Sequence, residues 1–313
     1  MRILVVGAGA IGGYFGGRLL DAGHDVTFLV RSRRAVELAS TGLVIRSRFG
    51  DTTVSNPPTT VAENLRQVFD LVLASCKAYD LEGAIASFAP AVGPDTVILP
   101  LLNGMRHLEI LDAHFGAGQV LGGQCLISVT LNQRHEIVHL NETHNLSFGE
   151  RDGARSARVE TIASVLSSGN FEARLSEAIL QEMWEKWVFI ATNAGITCLM
   201  RAAVGDIVAA GAADLAIGLL EECAAIAAQQ GFPPSSRFMQ LNRTVFATAG
   251  SRLTASMLRD IELGAPTEAD HIVGDLLRRG DESARSLLRI AYAHLKAYGS
   301  RRAREMALND KAG

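Results

Sequence analysis

The chain has 313 residues and a formal net charge of −3, from 30 basic and 33 acidic side chains. These charges are spread along the chain and create no positive field for a polyanion, so we expect no nucleic-acid partner. The four cysteines lie far apart without a C-x-x-C pair, which argues against a dithiol or zinc motif and favours a reduced, cytoplasmic protein. No apolar stretch reaches the ~18 residues of a spanning helix, so we expect no membrane anchor.

The first half of the chain, up to about Glu150, alternates short β-branched runs with helical stretches. The runs are predicted to be strands at Ile3–Val6, Val26–Val30, Leu71–Ala74, Val97–Pro100 and Val120–Leu121. Strands separated by helices imply right-handed crossovers and a parallel sheet. Beyond Ser176 the strand pattern disappears and helical periods take over. We therefore predict an α/β protein, with an N-terminal Rossmann-type parallel-sheet domain over residues 1–175 and an all-helical C-terminal domain over residues 176–313.

A glycine motif, G-x-G-x-x-G, lies directly after the first predicted strand and at the start of a helix. Its glycines allow a tight turn, close approach of a pyrophosphate to the backbone, and close packing of helix on strand. The helix N-terminus adds amide donors and a partial positive charge. We predict that a dinucleotide binds along this loop, which consists of Gly7, Ala8, Gly9, Ala10, Ile11 and Gly12.

The end of the second predicted strand indicates which dinucleotide binds. An acidic residue there would bind the ribose 2′-hydroxyl of NAD, whereas an arginine accommodates the 2′-phosphate of NADP. This chain has Arg31 at that point, followed by Arg33 and Arg34, with no carboxylate before Glu37. The pattern predicts NADPH/NADP as cofactor, with a solvated basic turn as the alternative.

Further motifs follow the glycine loop: Ser75-Cys76-Lys77-Ala78-Tyr79, Leu102-Asn103-Gly104-Met105, Trp184-Glu185-Lys186, Ser256-Met257-Leu258-Arg259-Asp260-Ile261-Glu262 and Thr267-Glu268. In this order and spacing, from Met1 to about Leu277, they resemble the ketopantoate reductase (2-dehydropantoate 2-reductase) family. The resemblance implies NADPH-dependent reduction of 2-dehydropantoate to pantoate, in pantothenate biosynthesis. It also implies a Rossmann domain joined to a helical domain, with the active site in the cleft between them.

The resemblance also assigns roles to individual residues. Lys186 would protonate the carbonyl oxygen, Asn103 would lie near nicotinamide and substrate, and Ser256 would bind the substrate. Glu268 and Lys77 would contact the cofactor, as would Asn103. The role of Lys186 agrees with the chemistry, because hydride addition to a ketone develops an alkoxide that needs a proton or a positive charge.

Each candidate also has a purely structural interpretation. Lys186 could extend along the rings of Trp184 and Trp187, and Asn103 could adopt a left-handed turn before Gly104. The other three could be ordinary surface or helix-terminal residues: Ser256 at a helix start, Glu268 in a first turn behind a Thr267 cap with Asp270 in its capping box, and Lys77 after a strand.

One departure from the family pattern concerns the substrate. The family carries asparagines four and eight residues after the catalytic lysine, where this chain has Ile190 and Ala194. Asn193 is a candidate replacement in substrate binding. Loss of two amides would suit a 2-oxo acid other than 2-dehydropantoate, which is the alternative substrate class.

A literal H-E-x-x-H match runs from His135 to His139. On a helix it would present two zinc ligands, but the surrounding residues alternate as in a strand, so we predict exposed strand histidines and no metal site. Cys76 is interpreted as a small filler residue rather than a nucleophile.

The leading hypothesis is an NADP-dependent oxidoreductase that acts on a small 2-oxo acid. The alternative from another class is a non-catalytic NADP-binding sensor. The apolar stripes of the helical half are also compatible with a homodimer.

Overall fold

Ten strands are present in the computed structural model, which describes residues 1–280 and 286–312. The strands are β1 (Arg2–Val6), β2 (Asp25–Leu29), β3 (Leu43–Arg46), β4 (Thr52–Val54), β5 (Thr59–Thr60), β6 (Leu71–Ala74), β7 (Val97–Pro100), β8 (Gly122–Leu131), β9 (Ile137–Gly149) and β10 (Glu172–Leu175). Five of them form a parallel sheet in the order β5-β2-β1-β6-β7. The predicted Rossmann-type sheet is confirmed, and its central strands are buried on both faces, as their unbroken apolar sequences require.

Helices accompany these strands and then replace them. Their bounds are α1 (Ala10–Asp21), α2 (Ser32–Thr41), α3 (Leu81–Phe88), α4 (Arg106–Phe115), α5 (Ala157–Leu166), α6 (Ile179–Met200), α7 (Val204–Ala209), α8 (Ala213–Gln229), α9 (Ser236–Phe246), α10 (Ser256–Glu262), α11 (Asp275–Arg279) and α12 (Leu287–Ala312). A π-helical turn, Asp270–Gly274, precedes α11. The predicted all-helical second half is confirmed. In the described part of the chain, no helix is both long and apolar enough to cross a bilayer.

The predicted strand at Val120–Leu121 is wrong. Val120 forms only an isolated bridge to Ile98, and the following strand, β8, pairs antiparallel with β9 in a second, mixed sheet. The chain passes close to β7 just after this point. A Cβ on Gly123 would lie 2.6 Å from the carbonyl oxygen of Pro100, so the chain passes the end of β7 and leaves the first sheet.

The chain divides into two units. The first contains residues Met1–Leu102 and His107–Leu180, and the second contains Asn103–Arg106 and Gln181–Gly313. The four residues Asn103–Arg106, called the Asn103 turn below, therefore group with the second unit although both flanking segments belong to the first.

Candidate active site

The glycine loop follows β1 and ends in the first turn of α1. Gly7 has a φ of +94°, which favours glycine, and its amide donates to the Leu29 carbonyl at 2.9 Å. Gly9 immediately precedes α1, and a Cβ built there meets nothing within 4 Å. Ala10 and Ile11 then open the helix. Open space beside the backbone, next to a helix N-terminus, is what a pyrophosphate needs, so these residues fit a dinucleotide.

Ser75 anchors this loop, a role that the sequence did not suggest although Ser75 lies in a motif already singled out. Its hydroxyl donates to the Val6 carbonyl at 2.8 Å and to the Gly7 carbonyl at 3.2 Å. A Cβ on Gly12 would lie 2.1 Å from that hydroxyl oxygen and 2.2 Å from the Gly7 carbonyl oxygen. Gly12 is therefore required by packing of the protein itself, whereas Gly9 leaves room for a ligand.

The arginines after β2 have different partners. The Arg31 side chain is 82% exposed and pairs with Asp80 Oδ1 at 2.7 Å. The half-buried Arg34 donates from Nε and Nη2 to the Ala8 carbonyl, at 3.2 and 3.1 Å, and so supports the loop. The expectation that no carboxylate lies near Arg31 is wrong, because Asp80 comes close in space from 49 residues along the chain. Arg33 is exposed beside them.

Lys77 lies at the same edge of the sheet as the glycine loop. It follows β6, whose last residue, Ala74, is in register with Val6 of β1. The Lys77 side chain is exposed, while the neighbouring Cys76 is half-buried. Sheet register thus brings Lys77 to the glycine loop; its role in cofactor binding stays a prediction.

Lys186 lies on α6 and is half-buried, and in the sequence it stands between Trp184 and Trp187. The rings of Trp184 and Trp187 are buried, with centroids 4.9 Å apart. The guanidinium of Arg279 lies over both rings, 5.9 and 5.5 Å from their centroids, and its carboxylate partner is Asp275 at 3.0 Å. An arginine from α11 therefore lies over the same two rings along which the structural interpretation extends Lys186.

The same helix carries Asn193 seven residues, about two turns, beyond Lys186. Asn193 is only 6% exposed, and its side-chain oxygen has no hydrogen-bond partner among the described residues. Ile190 is half-buried and Ala194 is buried, so neither offers a polar group. A buried amide oxygen without a partner is costly unless a ligand supplies a donor, which makes Asn193 a binding candidate.

Two further candidates lie in the second unit. Asn103 is half-buried, and the left-handed residue of its turn is Gly104, with a φ of +80°, so conformation does not explain the asparagine. Ser256 is the exposed first residue of α10, whose N-cap is Ala255 without a side-chain cap. Ser256 therefore stands at a helix start, as its structural interpretation has it, but it is not the N-cap, and its role in substrate binding stays a prediction.

Glu268 is 8% exposed and lies two residues before the π-helical turn. The predicted capping box of Thr267 and Asp270 is wrong. The turn has no side-chain cap, and the Asp270 carboxylate instead accepts from the Tyr292 hydroxyl and the Lys296 ammonium. The burial of Glu268 is unusual for a carboxylate and exceeds what a helix-terminal surface position would give.

The H-E-x-x-H match does not form a helix. His135 lies in the turn before β9 with a φ of +58°, and His139 lies in β9. His135 is exposed as predicted, but His139 is half-buried; the ring of Phe49 stacks on it, and Ser47 and the Thr143 carbonyl hydrogen-bond to its ring at 2.9 Å each. Across residues 1–280 and 286–312, no group of three histidine, cysteine, aspartate or glutamate side chains could hold a metal ion.

The candidates are distributed over both units. The glycine loop, Arg31 and Lys77 lie in the first unit, whereas the second unit contains Asn103, Lys186, Asn193, Ser256 and Glu268. Within the second unit, Glu268 and the Asn103 turn both contact the π-helical turn. The backbone amide of His271 donates to the Glu268 carbonyl, and His271 packs on Gly104. His271 was not identified from the sequence, where it carries no motif.

Comparison with known proteins agrees with the resemblance. The family model described as Ketopantoate reductase PanE/ApbA matches residues 3–153, and that of its C-terminal domain matches residues 178–298. The uncharacterized oxidoreductase YkpB of Bacillus subtilis is 38% identical over 301 residues, which cover 95% of this chain and 99% of YkpB.

Solved structures show the same relationship. The 2-dehydropantoate 2-reductase from Methylococcus capsulatus has a TM-score of 0.83 at 28% identity, covering 96% of this chain and 98% of its own. A D-mandelate dehydrogenase, solved with NADH and anilino(oxo)acetate, has a TM-score of 0.86 at 20% identity, covering 97% and 100%, and at this identity shows a shared fold. The chain therefore belongs to the ketopantoate reductase family, and is an oxidoreductase of the NAD(P)-dependent type.

Proposed function

We propose that this protein reduces 2-dehydropantoate to pantoate with NADPH. The observation that carries the proposal is the polar side of α6. Lys186 is followed two turns later by Asn193, whose side-chain amide oxygen has no hydrogen-bond partner among the described residues. One turn further on, the Thr197 hydroxyl donates to the backbone carbonyl of Asn193 at 2.6 Å. The Thr197 hydroxyl also accepts from the Ala255 amide at 3.3 Å, which connects this line to the start of α10 at Ser256. A small, polar 2-oxo acid fits such a line of groups.

The residues divide the reaction between them. Bound NADPH supplies a hydride to the ketone carbon. Lys186 donates a proton from its ammonium group to the carbonyl oxygen, so the electron pair of the C=O bond ends in the new O–H bond. Asn193 and Ser256 offer hydrogen bonds to the acid or hydroxyl groups, and Asn103 orders the reacting end. Glu268 and Lys77 bind the cofactor.

NADPH is proposed rather than NADH because of Arg31. Its guanidinium is exposed just after β2, and the exposed Arg33 adds a second cation. These are the groups that a ribose 2′-phosphate would meet. Asp80 competes with the phosphate for Arg31, so we expect the preference for NADPH to be moderate.

Steady-state kinetics on a substrate panel test the proposal. NADPH oxidation is followed with 2-dehydropantoate and with 2-oxo acids that have apolar side chains. We expect the largest kcat/KM for 2-dehydropantoate. A larger value for an apolar 2-oxo acid would support the alternative substrate class that Ile190 and Ala194 favour. NADPH binding without turnover of any member would support the sensor.

Assembly and location stay predictions. A cytoplasmic location is expected from the sequence. The apolar stripes of the helical half are compatible with a homodimer or with a monomer core, and light scattering on the purified protein distinguishes the two. No nucleic-acid partner is expected from the even spread of charge.

A further inference from the structure

The π-helical turn fixes one side of the second unit. Such turns are rare and are frequently found at functional sites. Its start is held by the amides of His271 and Ile272, which donate to the Glu268 carbonyl at 3.1 and 2.9 Å. The Ile272 carbonyl accepts from the buried indole N–H of Trp187 at 2.8 Å. The turn is therefore tied both to Glu268 and to α6, the helix of the proposed proton donor.

His271 of this turn faces the Asn103 turn. It is 7% exposed, and a Cβ on Gly104 would lie 3.1 Å from the His271 carbonyl oxygen and 3.2 Å from the ring carbon Cδ2. The ring and backbone of His271 thus pack directly on Gly104. The φ of +80° at Gly104 independently favours glycine at this position. His271 in addition forms a hydrogen bond with the backbone of Asn103.

The imidazole makes this contact as a neutral group. Burial lowers the pKa of His271, an effect opposed by the carboxylates of Glu268 and Asp275 and by the bond to Asn103. A neutral ring has one N–H donor, which can bond a backbone carbonyl without burying a charge. Packing alone would need only a side chain of similar volume, so the hydrogen bond is the part that an apolar residue could not replace.

We propose that His271 is a positioning residue that holds the backbone of the Asn103 turn, so that the Asn103 side chain keeps a single direction. This inference rests on the proposed function for the role of Asn103 near the reactants. The effect on rate follows from geometry, since a misplacement of ~1 Å in a reactive site costs on the order of 100-fold.

Hydrogen exchange tests the positioning without any turnover. The variants are His271→Leu and His271→Phe, which lack the donor, and His271→Asn and His271→Gln, which place an amide donor near either ring nitrogen. We expect exchange in the peptide covering residues 101–106 to accelerate about tenfold in the donor-free variants, and to be restored in one amide variant. Residues 188–197 of α6 serve as reference. Unchanged exchange in the turn, or equal acceleration in both peptides, would overturn the proposal.

Kinetics with Asn103→Ala complete the test. His271→Leu should lower kcat and change KM for NADPH about as much as Asn103→Ala does, and the double variant should be no slower than Asn103→Ala alone. If the fold-decreases in kcat of the two single variants multiply in the double variant, His271 acts independently of Asn103, and the proposal is overturned. If no 2-oxo acid is reduced, the proposed function fails, while the exchange experiment still decides whether His271 holds the turn.

Discussion

Gly9→Ala separates the fold of the glycine loop from its function. A Cβ at Gly9 meets nothing within 4 Å, and its φ of −81° suits alanine. Alanine is a poorer N-cap than glycine by ~0.5–1 kcal/mol, but it also reduces the entropy of the unfolded chain by a similar amount. We therefore expect the free energy of unfolding to change by less than about 1 kcal/mol.

Cofactor binding should change far more. The methyl group fills the space through which a pyrophosphate reaches the backbone amides of α1. Losing one charge-assisted hydrogen bond costs ~1.5–3 kcal/mol, which corresponds to about a 10- to 150-fold higher Kd. Isothermal titration with NADPH gives Kd, and urea unfolding without cofactor gives stability.

Two other glycines provide the controls. Gly12→Ala forces a Cβ to 2.1 Å from Ser75 Oγ, so it should destabilise the apoprotein by ~1–3 kcal/mol in addition to weakening NADPH. Gly83→Ala in α3 meets nothing within 4 Å and should add up to ~1 kcal/mol of stability without affecting NADPH. A Kd for Gly9→Ala within threefold of the parent would refute the assignment of this loop to the pyrophosphate.

Three further predictions concern the charged groups. Lys186→Ala should lower kcat at least about 100-fold, or ~2.7 kcal/mol, with Kd for NADPH unchanged; turnover within threefold of the parent would exclude proton donation. Arg31→Ala should raise the Kd for NADPH more than the Kd for NADH. Asp80→Asn removes the carboxylate that competes for Arg31, so it should lower the Kd for NADPH about two- to fivefold. Equal changes in Kd for both cofactors would contradict a 2′-phosphate role for Arg31. A hydrogen bond from Arg158 lowers the pKa of Glu150, so the stability gained is present above the ordinary glutamate pKa of ~4.3 and is lost as pH falls through the lower folded value. Glu150→Gln should therefore flatten the fall of Tm between about pH 5 and 3, and an unchanged slope would exclude this contribution.

The sequence predicts the sheet and the glycine loop because neighbouring residues determine both. Runs such as Ile3–Val6 are apolar throughout, as strands buried on both faces must be, and the glycines follow at fixed spacing. Lys186 is recognisable through its motif with Trp184. The strand wrongly predicted at Val120–Leu121 lies where the chain passes close to the end of β7, and a local sequence pattern does not record such a contact between segments.

Contacts between distant segments could not be predicted. Arg31 is paired with Asp80, 49 residues away, and the ring of His271 packs on Gly104 across more than half the chain. Neither pair has a spacing that one sequence reveals. The departure at Ile190 was visible beforehand, but only burial and the missing hydrogen-bond partner distinguish Asn193 as its candidate replacement.

The division of the chain has a practical consequence for producing fragments. The polypeptide passes between units after residue 102, after residue 106 and after residue 180. A recombinant fragment that stops at residue 180 would carry the Asn103 turn without the histidine it packs against, and a fragment that starts at residue 181 would lack the turn entirely. No single cut yields both halves intact, so isolating either one requires a replacement linker for these four residues.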